Sequence, residues 1–115
     1  MARDLMRRYL TRREYEPVTT ATVDSALDAL RTGPVDAVIL DYRLGEGRNG
    51  LDVLRQFRAD LPDAAAPVIV LTGAMLSDTE EAEITKHRGF VFHKPESIDV
   101  LIDFLDQLLG RDRPV

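Results

Sequence analysis

Val35-Asp36-Ala37-Val38-Ile39-Leu40-Asp41 decides how this chain folds: an apolar, β-branched run that stops at a carboxylate. Bounded in front by the turn residues Gly33-Pro34, a run of this length reads as a buried strand over Val35 to Leu40. Two further runs have the same form. Val68-Ile69-Val70-Leu71 ends in Thr72, and Phe90-Val91-Phe92-His93 ends in Lys94-Pro95. As neighbouring parallel strands they bring one carboxylate, one hydroxyl and one ammonium to the carboxyl-end edge of a sheet, where open α/β folds place their sites. Such a constellation handles anions.

Helices are predicted between the runs. Leu5, Met6, Tyr9 and Leu10 recur at helical spacing over residues 3–13, Pro17 ends that segment, and Val18-Thr19-Thr20 reads as a short strand. Thr22 caps a helix with Val23, Ala26, Leu27 and Leu30 that Gly33-Pro34 stops. Leu51, Val53, Leu54 and Phe57 mark another, closed by Leu61-Pro62. Ser77 and Glu80 have the spacing of a capping box. The helix they open has only Ala82 and Ile84 as apolar residues before Arg88, which predicts thin packing and easier movement than its neighbours. From Ser97 to Gly110, Ile98, Leu101, Ile102, Leu105, Leu108 and Leu109 form one core stripe. Val100 and Phe104 fall off it, as edge-of-core filler or a partner patch, while Phe90 and Phe92 are expected to share one face in the core or under this last helix. Strands alternating with helices through short connections argue for one parallel sheet covered on both faces. The tail from Arg111 is expected to fray.

Composition narrows the class. The 115 residues are 44% hydrophobic and 30% charged, enough for one core, and contain no cysteine, which excludes disulfides and thiolate metal sites. No stretch approaches membrane-spanning length, so a cytoplasmic setting is expected. Five arginines stand against the single acid Asp4 within residues 1–13, in a chain whose net charge is −5. That balance argues against general nucleic-acid binding and leaves the arginines as a solvated helix face or a surface for an acidic partner.

The order Val38-Ile39-Leu40-Asp41, Leu71-Thr72-Gly73-Ala74 and Lys94-Pro95 resembles the response-regulator receiver domains of two-component phosphorelays. The wording Asp41-Tyr42-Arg43-Leu44-Gly45 and His93-Lys94-Pro95 is similar to receivers attached to hybrid histidine kinases. The resemblance covers the whole chain as one receiver-like domain, residues 1–115. It implies a flavodoxin-like α/β fold with strand order 2-1-3-4-5 and a role in signal transduction rather than as an enzyme. It further implies that Asp41 is the phosphoacceptor, a carboxylate nucleophile that takes a phosphoryl group from a partner's phosphohistidine. Thr72 would hydrogen-bond the phosphoryl group and Lys94 would neutralise its charge. Gly73 answers a need for a small residue beside the site, and Pro95 makes the Lys94-Pro95 bond a candidate cis peptide. The implied partner is a histidine kinase or histidine phosphotransfer protein, with no nucleic acid or membrane involved, and the implied cofactor is magnesium.

Departures from the family pattern matter as much. Receivers begin with a central strand ending in an acidic pair that binds magnesium, and counting back from Tyr15 places that pair before Met1. Relative to the family the sequence given is amino-terminally truncated, with Asp41, the backbone carbonyl of Arg43, and Asp4 or Glu46 left as metal donors, so magnesium binding is expected to be weak. Three ways to fill the gap stand open: Val18 to Ala21 moves across to the Val35 strand, a second chain lends an edge, as a homodimer would, or the parent protein is longer. Where many receivers carry a switch aromatic, three residues before Lys94, this chain has Val91.

Two functional readings follow, a phosphoacceptor receiver and a pseudo-receiver that binds its partner without being phosphorylated. A distant third is a nucleotide-binding enzyme, because Gly45-Glu46-Gly47-Arg48-Asn49-Gly50 is literally G-x-G-x-x-G. Its first glycine stands four residues beyond the strand end, and Glu46 puts negative charge where pyrophosphate would sit. His87 on the thin helix is expected to face solvent, and His93 to point away from the site.

Overall fold

The computed structural model describes residues 3–20, 22–43, 49–73, 75–93 and 97–111. Its elements are α1 (Arg3–Arg12), α2 (Val23–Thr32), β1 (Val38–Asp41), α3 (Gly50–Asp60), β2 (Val68–Thr72), α4 (Asp78–Lys86), β3 (Gly89–His93) and α5 (Ile98–Leu108). Capping explains several boundaries. The side chains of Thr22, Asn49, Ser77 and Ser97 accept the backbone N–H three residues on, and the first three close capping boxes.

The strands form a parallel sheet in the order β1-β2-β3, with Asp41 opposite Leu71 and Thr72 opposite His93. Central β2 is buried along its whole length. Its alternate side chains feed two cores: Val68 and Val70 join Leu40, α2, α3 and Ile84 of α4, whereas Ile69 and Leu71 join Leu10 of α1 and Leu101, Ile102 and Leu105 of α5. Helices therefore cover both faces of a flavodoxin-like α/β sheet. Phe90 and Phe92 both meet Phe104, edge-on and stacked respectively, so the aromatic pair lies under α5 as expected, while Val100 stays exposed.

Helix α1 stops before Pro17. Glu14 adopts a left-handed φ of 66°, which turns the chain so that the Tyr15 N–H returns to the Leu10 carbonyl at 3.0 Å. Arg13 then reaches Asp103 at 2.6 Å and Asp106 at 2.9 Å on α5, and the Tyr15 hydroxyl donates to the other oxygen of Asp106. One of the five arginines thus ties α1 to α5. Leu5, expected on the apolar stripe, is exposed instead.

Two expectations are corrected at the sheet edge. The strand begins at Val38 rather than Val35, and Val18-Thr19-Thr20 is irregular, neither forming a strand nor pairing with the Val38 strand. A strand needs a ladder, and these residues stand across an open cleft of about 830 Å³ from β1, lined among others by Leu10, Val23, Ile39, Leu40, Leu105 and Leu109. The Val38 and Tyr42 N–H groups donate to Pro67 and Leu71 of the β2 side. Because peptide groups alternate along a strand, those of Ile39 turn away from β2 toward the cleft. At the far end, Arg111 donates to the Glu14 carbonyl and covers the Tyr15 ring, so it is held rather than frayed; residues 112–115 lie outside the described residues.

Candidate functional site at the strand ends

Asp41 and Thr72 close neighbouring strands, so the register of β1 and β2 brings the residue with the carboxylate and the residue with the hydroxyl to one sheet edge. Thr72 is buried, and the Oδ1 atom of Asp41 is shielded from solvent. Lys94 and Pro95, the remaining members expected from the sequence, lie outside the described residues, as do the first four positions of the glycine motif, Gly45, Glu46, Gly47 and Arg48. Gly73 is exposed, and a Cβ built there meets nothing within 4 Å, so packing among the described residues does not require its small size.

The segment after Asp41 is pinned on both sides. The Tyr42 N–H donates to Leu71 of β2 at 2.7 Å, its carbonyl accepts from the Gly50 N–H of α3 at 2.7 Å, and Arg43 bridges Asn49. Gly50 is needed for this approach: a Cβ there would stand 2.7 Å from the Asp41 carbonyl oxygen, which is backbone and cannot swing aside. Gly50→Ala is therefore expected to cost about 1–3 kcal/mol in urea unfolding and to shift the Asp41 and Tyr42 amide resonances more than any others outside α3. Unchanged resonances at both would contradict that packing.

Sequence reasoning missed one contact. The Tyr42 hydroxyl, immediately after Asp41, donates to Glu80 Oε2 on α4, while Glu80 Oε1 accepts the Ser77 N–H at 3.0 Å. The hydrogen bond to the Glu80 carboxylate, with burial adding, pushes the Tyr42 phenol up to about 12. The same bond and the Ser77 N–H hold Glu80 below the usual carboxylate range. Both residues were visible in the sequence, Glu80 as a capping partner, but nothing local announces a side-chain bond between a strand-end loop and a distant helix. Val91 is packed in the core shared with Leu40 and Ile84. His93 is exposed, and His87, expected to face solvent, is partly buried, with Nε2 3.6 Å from Glu83.

Magnesium needs a near-octahedral set of hard oxygens. Among the described residues no three carboxylate, imidazole or thiol side chains gather at one point, and Asp4 sits on α1 beside Arg7. Asp41 with the Arg43 carbonyl does not by itself fit a resident magnesium ion.

A family model described as the response regulator receiver domain matches residues 1–106. The chain belongs to the response regulator receiver domain family. Solved structures agree on the fold. A CheY-like receiver domain protein from Methanospirillum hungatei superposes with a TM-score of 0.83 at 18% identity, covering 93% of this chain and 83% of that one. For the receiver domain of the Francisella response regulator 1452 the values are 0.79 and 22%, with 96% and 88% covered. The NtrX protein of Brucella abortus is 28% identical at a TM-score of 0.78, with 94% of this receiver domain covered but 24% of that chain. No curated protein sequence matches the chain. As a receiver domain it belongs to two-component signalling, and among its described residues no helix is long and apolar enough to cross a membrane.

Proposed function

We propose that this receiver domain accepts a phosphoryl group on Asp41 from a phosphohistidine of a histidine kinase or histidine phosphotransfer protein. The observation that carries the reading is the junction of Asp41 and Thr72 at adjoining strand ends, beside the pinned Tyr42. An Asp41 carboxylate oxygen attacks phosphorus while the phosphorus–nitrogen bond to the donor imidazole breaks, and the departing ring nitrogen keeps the electron pair. The buried Thr72 hydroxyl is at the right strand end to donate to a phosphoryl oxygen, and Lys94 next in sequence after β3 supplies the countercharge. The domain acts in the cytoplasm on this reading, as a relay rather than an enzyme.

A second reading, the pseudo-receiver, is favoured by the lack, among the described residues, of any group of three carboxylate or imidazole side chains that could hold a metal ion at the site. Intact mass after treatment with a small-molecule phosphodonor separates the two. A single phosphoryl adduct, released by hydroxylamine and lost in Asp41→Asn, is the expected result. An adduct that survives Asp41→Asn overturns the assignment, and no adduct in either chain leaves the pseudo-receiver.

A further inference from the structure

Helix α4 buries little of its own side-chain surface. Of its nine residues, Asp78–Lys86, only Ile84 is buried, and a helix this short has little stability of its own in water. Beyond Ile84, its side-chain ties to other elements include Arg55 to Glu83 at 3.2 Å, a half-exposed pair, and Tyr42 to Glu80. Surface ion pairs of the first kind contribute little. The second differs in where it leads. Glu80 spends one oxygen on the Ser77 N–H and the other on Tyr42, so a single carboxylate serves both the helix cap and a residue adjoining Asp41. Tyr42 is itself fixed through its backbone to β2 and α3, and its ring packs with the Leu40 core. Displacement of the strand end thus has a rigid lever, and α4 a light load.

We propose that Tyr42 and Glu80 are a positioning pair that couples Asp41 to the amino-terminal turn of α4. Through Tyr42, Glu80 sets the Asp41–Arg43 segment. In the other direction, rested on Asp41 as the phosphoacceptor, a dianionic group added there disfavours the Glu80 carboxylate at the far end of Tyr42, releases the tyrosine and loosens α4. Coupling between two equilibria is reciprocal, so what loosens α4 also eases the anion onto Asp41. A tyrosine that merely braced the fold would show none of this: its loss would weaken anion binding or leave it unchanged.

The test uses the 115-residue chain with beryllofluoride as phosphoryl mimic in magnesium buffer, read by amide hydrogen exchange across α4 and by binding affinity. In the parent chain, beryllofluoride is expected to speed exchange in α4 about fivefold. In Tyr42→Phe the helix exchanges fast from the outset, and in Glu80→Gln, whose amide oxygen can still accept the Ser77 N–H while its amide N–H donates to the Tyr42 hydroxyl oxygen, it stays protected. In both variants beryllofluoride adds no further change and binds about fivefold tighter. A response in either variant equal to the parent's, or weaker beryllofluoride binding, overturns the pair. Should beryllofluoride fail to bind the parent, the phosphoacceptor reading fails by itself, and a ligand-free arm still decides the coupling. Asp41→Asn is then expected to slow α4 exchange in the Tyr42 chain and to have no effect in Tyr42→Phe. The same effect in both, or none in either, overturns the pair.

Discussion

Arg58→Met is expected to lower the unfolding free energy by about 3–5 kcal/mol, among the largest losses of any single substitution in this domain. Arg58 projects from α3 into a buried position where its hydrogen bonds go to backbone carbonyls. Its guanidinium donates to four carbonyls, of Ala64 and Ala66 on the approach to β2 and of His87 and Arg88 after α4. Burial, with the charge of Arg88 adding, draws its pKa below the usual value, so the position costs free energy that those bonds offset. Methionine matches the volume but donates nothing, leaving carbonyls at about 1–3 kcal/mol each where water does not reach. Arg58→Lys should recover only part of the loss, because an ammonium lacks the planar fork that spans two segments. Urea unfolding measures all three chains. A loss under about 1 kcal/mol for methionine would mean that solvent rescues the carbonyls.

Arg58 also marks the limit of what the sequence discloses. The runs at Val38, Val68 and Phe90 were legible because apolar β-branched and aromatic content, length and bounding residues agree, and the sheet among the described residues is built from those three. The caps at Thr22 and Ser77 were legible because a cap is a local interaction over three residues. Arg58 in a helix reads as a surface cation, and its partners are backbone atoms that sequence does not distinguish. Val18-Thr19-Thr20 failed for the opposite reason: its β-branched composition is genuine, but strand propensity is realised only against a partner, and the partner edge stands across the cleft. At the site, Asp41 and Thr72 came together because register follows from the runs, while Tyr42 with Glu80 depends on how α4 docks.

The cleft beside β1 carries the other large expectation. Joining ahead of Met1 a short linker and a strand of about six apolar residues ending in two aspartates should raise the melting temperature by roughly 10 °C. The cleft has apolar walls from both cores and the outward peptide groups of Ile39 on one side, so the added strand gains burial on both faces and a hydrogen-bonded ladder. Burying about five such side chains contributes roughly 10 kcal/mol, ordering the segment costs about 7, and the difference is of the size that shift requires. Since Asp41 also lines the cleft, the two new carboxylates would stand near it and complete a hard oxygen set of the kind magnesium prefers. Beryllofluoride binding should then become tight and magnesium-dependent, whereas a strand ending in two asparagines should keep the thermal gain without the metal dependence. A melting temperature unchanged by either extension would mean that the cleft does not receive a strand. Tight, magnesium-dependent binding by the unextended chain would mean that Asp4, Glu46 or a second copy already supplies the missing oxygens.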